Sequence, residues 1–137
     1  MSLELKGIME KEYSVLQELF KVLVDQNHYL LKRDAFKLDS VVKSLEEKSK
    51  TVALLEIKRR KLTSKRPMRE IIAEEKDESM KILYDNIVEI LGKIRFQRDT
   101  NDALIKQGLV FTNQMLRAIA PRNNTSAGTY NSLGKSR

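Results

Sequence analysis

Apolar residues recur along this chain at alternating steps of three and four, which constrains the fold more than any other feature of the sequence. From Leu3 to about Lys32, Asn27 interrupts a pattern formed by Met9, Tyr13, Leu16, Phe20, Leu23 and Leu30. Such spacing gives an amphipathic helix with a coiled-coil-like apolar stripe. Further apolar residues at 19, 24 and 31 widen the stripe. The sequence therefore predicts a first helix, over about residues 3–33, that packs against two neighbours.

Two further periodic segments predict a second and a third helix. Asp39 is a candidate N-cap for a helix over residues 39–62. Pro67 fits the first turn of a helix over residues 68–119, which Pro121 stops. At 1.5 Å per residue the third helix would be roughly 75 Å long and the first roughly 45 Å. The expected fold is all-α: an up-down-up antiparallel three-helix bundle or coiled coil with an over-long third helix.

Length and composition are consistent with a single helical domain. The chain has 137 residues with 5 Gly, 2 Pro and no Trp, and 33% of its residues are charged. This composition favours helix over sheet. We expect one helical domain over residues 1–120 and a flexible C-terminal tail over 121–137, where Ser, Asn and Gly are frequent and periodicity ends.

The chain has no sequence signal for a membrane or an oxidising compartment. Its longest hydrophobic run is residues 52–55, against roughly 18 residues needed to span a bilayer, and acidic residues lie where a signal peptide would be basic. With no Cys, a disulfide scaffold, a thiolate zinc site and a Cys nucleophile are excluded. We expect a cytoplasmic protein without stable membrane insertion.

The net positive charge is concentrated in one short segment, which we call the basic corner (residues 58–69). Its seven basic residues and no acidic ones account for the whole net charge of +7. No aromatic residue lies between Phe36 and Tyr84, so base stacking from this corner is unfavourable. We expect a solvated helix end and no nucleic-acid partner, although a nucleic-acid-binding protein using the corner remains an alternative.

A second asymmetry begins after Asp102. No acidic residue follows this position, and many apolar residues lie between 103 and 119. A solitary helix cannot expose so many apolar side chains without a free-energy cost. The segment is therefore expected to bind a partner or to form the seam of a homodimer, as in a self-associating coiled-coil adaptor. Ordinary core, if the helix folds back near residues 99–102, is the third possibility.

The order of these features resembles the FlgN family of flagellar type III export chaperones over nearly the whole chain. The long first helix contributes, as do four groups of residues: Asp39 with Val41, Val42 and Leu45; Leu55 and Glu56 with Arg59 and Leu62; Asn101 with Leu104, Ile105 and Leu109; and Thr129, Tyr130 and Asn131 with Gly134. The resemblance implies an α-helical chaperone that binds hook-filament junction proteins through its C-terminal part and presents them to the export gate.

The expected partner-binding residues combine this resemblance with the apolar segment. They are Asn101, Leu104, Ile105, Leu109, Phe111, Met115, Leu116, Ile119 and Tyr130. No enzyme activity, cofactor or metal is expected. His28 is the only histidine, and a catalytic or metal-binding role would need a second group at a defined spacing. The acidic cluster over residues 74–78 has no further oxygen ligands to complete a cation cage and fits a solvated first turn.

Overall fold

The computed structural model describes residues 2–119, and this part of the chain is helical without a strand. Four helices follow one another: α1 (Ser2–Lys32), α2 (Ala35–Leu62), α3 (Met68–Glu74) and α4 (Glu78–Ile119). Within this range no helix is both long and apolar enough to cross a bilayer. The all-α class is confirmed, whereas the expected number of three helices is wrong. The tail predicted over 121–137 lies outside the described residues.

The second helix begins four residues earlier than predicted, because its cap is Asp34 and not Asp39. The Asp34 carboxylate accepts a hydrogen bond from the backbone N–H of Lys37 at 3.1 Å, which satisfies one of the free donors of the first turn. The preceding Arg33 takes a left-handed conformation with φ of 56°, so the chain turns sharply between α1 and α2. Asp39 lies inside α2, 3.7 Å from the Lys43 ammonium.

The predicted third helix over 68–119 is interrupted at residues 75–77, which divide it into α3 and α4. Glu75 has an extended conformation, with ψ of 137°. The Asp77 carboxylate accepts hydrogen bonds from the Ser79 N–H at 3.0 Å and the Ser79 hydroxyl at 2.6 Å. The hydrogen bond from the hydroxyl is the main cause of the lowered Asp77 pKa. Asp and Ser side chains compete with helical backbone bonds in this way. The acidic residues therefore mark a break and restart, not one continuous first turn.

The largest buried cluster joins α1, α3 and α4 near the beginning of each. Its members are Leu5, Met9, Ile71, Ile72 and Met80. Around it pack partly buried apolar residues that include Leu62 at the end of α2. Because Ile71 and Ile72 both enter this cluster, the short helix α3 is fixed by burial despite its length of only 7 residues. Isolated helices this short are unstable in water.

Ion pairs and hydrogen bonds show the directions of α2 and α4 relative to α1. Glu12 and Glu18 of α1 pair with Arg59 and Lys48 of α2, so α1 and α2 are antiparallel. Lys6 pairs with Asp77, whereas residues near the end of α1 contact Asn101. The part of α4 up to Asn101 therefore runs in the same direction as α1.

The chain divides into two compact units after Asn101. The first unit contains α1, α2, α3 and the beginning of α4. The second begins at Asp102, and its described residues, 102–119, are the last residues of α4. The expectation of one domain over residues 1–120 stays a prediction.

The burial of Leu16 tests the apolar stripe of α1. Leu16 is 4% exposed, whereas Leu31 on the same helix is 66% exposed. We expect Leu16→Asn to lower the free energy of unfolding by about 3 kcal/mol, because it removes apolar burial and places an amide in the core. Leu31→Asn should change it by less than about 0.5 kcal/mol. Equal effects of the two variants in urea unfolding would show that the stripe is misassigned.

Candidate partner-binding surface

The described residues of the second unit form a helix whose side chains are almost entirely accessible. Leu104 is half-buried, and every other residue from Asp102 to Ile119 is exposed. The exposure is large for several apolar side chains: 60% for Leu109, 59% for Leu116 and 71% for Ile119. Monomeric proteins rarely expose so much contiguous apolar surface unless it binds something.

Seven of the nine predicted site residues lie on one side of this helix, and we call this side the apolar face. With 3.6 residues per turn, they fall within an arc of about 160°. They are Leu104, Ile105, Leu109, Phe111, Met115, Leu116 and Ile119. The opposite side carries mostly polar residues: Lys106, Gln107, Asn113, Gln114 and Arg117. The helical conformation thus gathers side chains that the sequence spreads over 16 residues into one surface. Tyr130 lies outside the described residues.

Asn101, in contrast, is not available to a partner. Its side chain is 1% exposed. The amide nitrogen donates to the backbone carbonyl of Leu23 and to the Gln26 Oε1, both at 2.8 Å. The amide oxygen accepts from Asn27 and Gln97, both at 3.1 Å. An asparagine amide can donate two hydrogen bonds and accept two, so all four are made within the first unit. The expected partner contact at Asn101 does not fit this burial.

Four side chains form an amide cluster between α1 and α4, in which Gln26 and Asn101 are buried and Asn27 and Gln97 are half-buried. Asn27 was predicted as an interruption of the α1 stripe, whereas no structural role was predicted for Gln26 or Gln97. Gln97 and Asn101 are one helical turn apart, and this spacing alone could have indicated that their two amides lie side by side on α4. The hydrogen bond between Gln26 and Asn101 could not be predicted from sequence periodicity, because the two residues are separated by 75 positions.

A second buried polar contact links α1 to α2. Glu12 is 8% exposed, and its carboxylate lies 3.3 Å from the Arg59 Nε. Burial raises the Glu12 pKa, and the attraction of Arg59 opposes this rise. Arg59 also pairs with Glu56 at 3.5 Å. Arg59 belongs to the basic corner, so one cation of the corner has a structural role that its sequence pattern did not predict.

Neither the histidine nor the acidic cluster belongs to a metal-binding group in the described part of the chain. His28 is exposed and contacts the Tyr29 ring edge-on, with 5.5 Å between centroids. Within residues 2–119, no group of three or more His, Cys, Asp or Glu side chains could hold a metal ion.

Comparison with known families assigns the chain. The model of the FlgN protein family matches residues 1–137, which is the whole length. The chain belongs to the FlgN family. This is a family of flagellar export chaperones. No curated protein and no solved structure matches the chain. The family proposed from the sequence is thereby confirmed. Asn101, one of the residues on which the resemblance was based, is buried in this FlgN-family protein.

The Glu12–Arg59 pair of the FlgN-family protein predicts a pH-dependent mutational effect. Because burial raises the Glu12 pKa, the folded protein keeps the Glu12 carboxyl protonated to higher pH than the unfolded chain does. The contribution of Glu12 to stability therefore falls as the pH rises from the unfolded-state pKa to the folded-state pKa. Arg59→Met removes the opposing cation and raises the pKa further. We expect it to lower the free energy of unfolding by about 2 kcal/mol at pH 7.

The penalty of Arg59→Met should shrink near pH 4.5, the ordinary pKa of the group, because the folded state then carries a protonated Glu12. Urea unfolding at both pH values measures this difference. The matched control repeats Arg59→Met in a Glu12→Gln chain, where the penalty should be the same at both pH values. A pH-dependent penalty in that control would assign the effect to another carboxylate.

Proposed function

We propose that this FlgN-family protein is a cytoplasmic chaperone for the hook-filament junction proteins of the flagellum and that its apolar face receives them. The observation that carries this proposal is the accessibility of that face: Leu109, Leu116 and Ile119 are each at least 59% exposed on one side of a helix. Apolar surfaces of this kind, bordered by polar residues, are typical of protein-binding sites.

The matching ligand is an amphipathic helix of the client. Apolar side chains repeating at three and four residues would lie along the apolar face, as in other helix-in-groove complexes. Burial contributes roughly 25 cal/mol per Å² before the cost of ordering the two partners is subtracted. No acidic side chain follows Asp102 in the sequence, so an acidic client helix meets no repulsion from this segment. A covered client helix cannot associate with other copies before export.

The remaining steps extend this proposal to the export apparatus. The chaperone would deliver the junction protein to the flagellar type III export gate, with a second contact at Tyr130. The scaffold would be an up-down-up arrangement of α1, α2 and the part of α4 up to Asn101. No enzyme activity is part of the mechanism, because protecting and transferring a client requires only binding and release.

Truncation and point substitution test the apolar face together. A chain that ends at Asp102 should keep the first unit folded and lose circular dichroism only in proportion to the helical residues removed, while failing to retain the junction protein. In the full chain, Leu109→Asp with Leu116→Asp should weaken binding by at least tenfold, because a client would have to bury two carboxylates.

The matched control places the same charges on the polar side. Gln107→Asp with Asn113→Asp should change client affinity by less than threefold in isothermal titration calorimetry. Unchanged affinity of the truncated chain would place the client site in the first unit and contradict the proposal.

Tyr130 generates a separate expectation. An aromatic side chain with a hydroxyl can anchor a segment in a pocket of a partner. We expect Tyr130→Ala to leave junction-protein affinity unchanged and to weaken binding of the loaded chaperone to the export gate. Tyr130→Phe is the control that keeps the ring. Loss of client affinity in the Ala variant would instead place Tyr130 in the client site.

Self-association is the second candidate, because the same exposed face fits another copy of itself. Sedimentation of the free protein at increasing concentration distinguishes the two. A dimer abolished by Leu109→Asp with Leu116→Asp would support a coiled-coil adaptor, particularly if the junction protein does not compete for the face.

A further inference from the structure

The outward side of α2 combines exposed lysines and exposed aliphatic side chains. Leu54 is 62% exposed and Ile57 is 51% exposed. Lys50, Lys58 and Lys61 are exposed as well. With 3.6 residues per turn these five residues fall within an arc of about 100°. Glu47 lies on the same side and marks the point where this basic apolar stripe begins.

These lysines differ from the neighbouring arginines in having no ion-pair partner among residues 2–119. Arg59 pairs with Glu12 and Arg60 with Glu56. Arg66 pairs with Glu74 at 2.6 Å. Three of the four arginines of the corner are thus partly neutralised within the fold, whereas the lysines on the outward stripe remain available to another molecule.

The turn after α2 adds an independent observation. Ser64 and Lys65 have φ of 52° and 66°, a left-handed conformation that glycine adopts without steric cost and other residues do not. Lysine at this position therefore gives a less stable turn than glycine would. In return it adds an exposed cation three residues after the end of α2, where its backbone N–H donates to the Arg60 carbonyl at 3.1 Å.

We propose that this stripe, formed by Lys50, Leu54, Ile57, Lys58, Lys61 and Lys65, is a second protein-binding surface that takes an acidic amphipathic helix of another protein. It shares no residue with the apolar face and does not depend on client binding. From Lys50 to Lys61 the stripe is roughly 16 Å long, which matches about three turns of a partner helix. Glutamates of the partner would pair with the lysines, and its apolar side chains would cover Leu54 and Ile57.

Other polyanions fit the stripe less well. A nucleic acid would leave the two aliphatic side chains uncovered, and no aromatic residue between 36 and 84 is present to stack on bases. Anchoring in a lipid surface scales with buried apolar area and commonly uses aromatic side chains, of which the stripe has none. An acidic helix uses both the charges and the aliphatic pair.

A synthetic pair of labelled peptides tests the proposal with the full-length protein. The probe is an acidic helix of about 20 residues with glutamates on one side and leucines on the other, and its partner has the same composition in scrambled order. By fluorescence anisotropy the amphipathic peptide should bind at least tenfold more tightly than the scrambled one. Equal binding of both peptides would overturn the proposal, because it would show only unspecific charge attraction.

Two sets of substitutions assign the binding to the stripe. Lys58→Glu, Lys61→Glu and Lys65→Glu together should weaken binding of the amphipathic peptide by at least tenfold, as should Leu54→Ser with Ile57→Ser. The matched control, Lys11→Glu, Lys93→Glu and Arg95→Glu, changes the net charge equally at exposed positions without ion pairs and should change affinity by less than threefold. Junction-protein affinity should be unchanged in all of them, and equal weakening by the control set would overturn the proposal.

Lys65→Gly separates the turn from its charge. We expect the Tm of this variant to rise by about 2–4 °C, because glycine adopts the left-handed conformation at position 65 without steric cost. Its affinity for the amphipathic peptide should fall about threefold. An unchanged affinity would contradict the role of Lys65. Phosphatidylserine vesicles and a DNA duplex serve as alternative probes. Binding of either one more tightly than the peptide, with loss in the triple Lys→Glu variant, would overturn the proposal in favour of a membrane or nucleic-acid surface.

Discussion

A heptad pattern lets one helix slide by seven residues along another without losing apolar contacts, and in the first unit the buried amide of Asn101 removes this freedom. A shift of α4 by one heptad would place Ile94 where Asn101 now meets Gln26. The Gln26 amide would then lose its partner inside the protein, which costs roughly 1–3 kcal/mol. Because all four hydrogen bonds of the Asn101 side chain are satisfied, only the observed register avoids that cost.

A buried polar contact also fixes the register between α1 and α2, where an ion pair takes the place of the amides. Glu12 is buried among the apolar residues of α1 and contacts Arg59, and Gln26 is buried on the same helix and contacts Asn101. Helix α1 thus uses one buried polar residue for each of its long neighbours. Buried polar residues are known to specify register in coiled coils at a cost in stability. The apolar residues hold the helices together, and these polar contacts determine which residues lie opposite one another.

The surfaces available for binding differ in chemistry. The apolar face of α4 has aliphatic and aromatic side chains without an acidic residue, which suits the amphipathic client helix that we propose. The stripe on α2 has two aliphatic side chains among lysines, which suits an acidic partner. Arg59, Arg60 and Arg66 lie near the stripe but take part in ion pairs within the fold. Counting positive charges in the sequence could not separate these arginines from the lysines, because the separation depends on which acidic residues lie close in space.

The sequence by itself determined the helical class, the spacing of the apolar stripes, the family and the apolar composition of residues 103–119, because each of these depends on local periodicity or on residue order. It did not determine the cap at Asp34, where two aspartates competed and local hydrogen bonding decided. Nor did it determine the break at 75–77, where Asp77 and Ser79 bond to each other instead of continuing the helix, or the burial of Asn101. Only the tertiary structure decided that this asparagine is internal, because its four hydrogen-bonding partners include three residues of α1 that lie more than 70 positions away, and no local pattern contains such a contact.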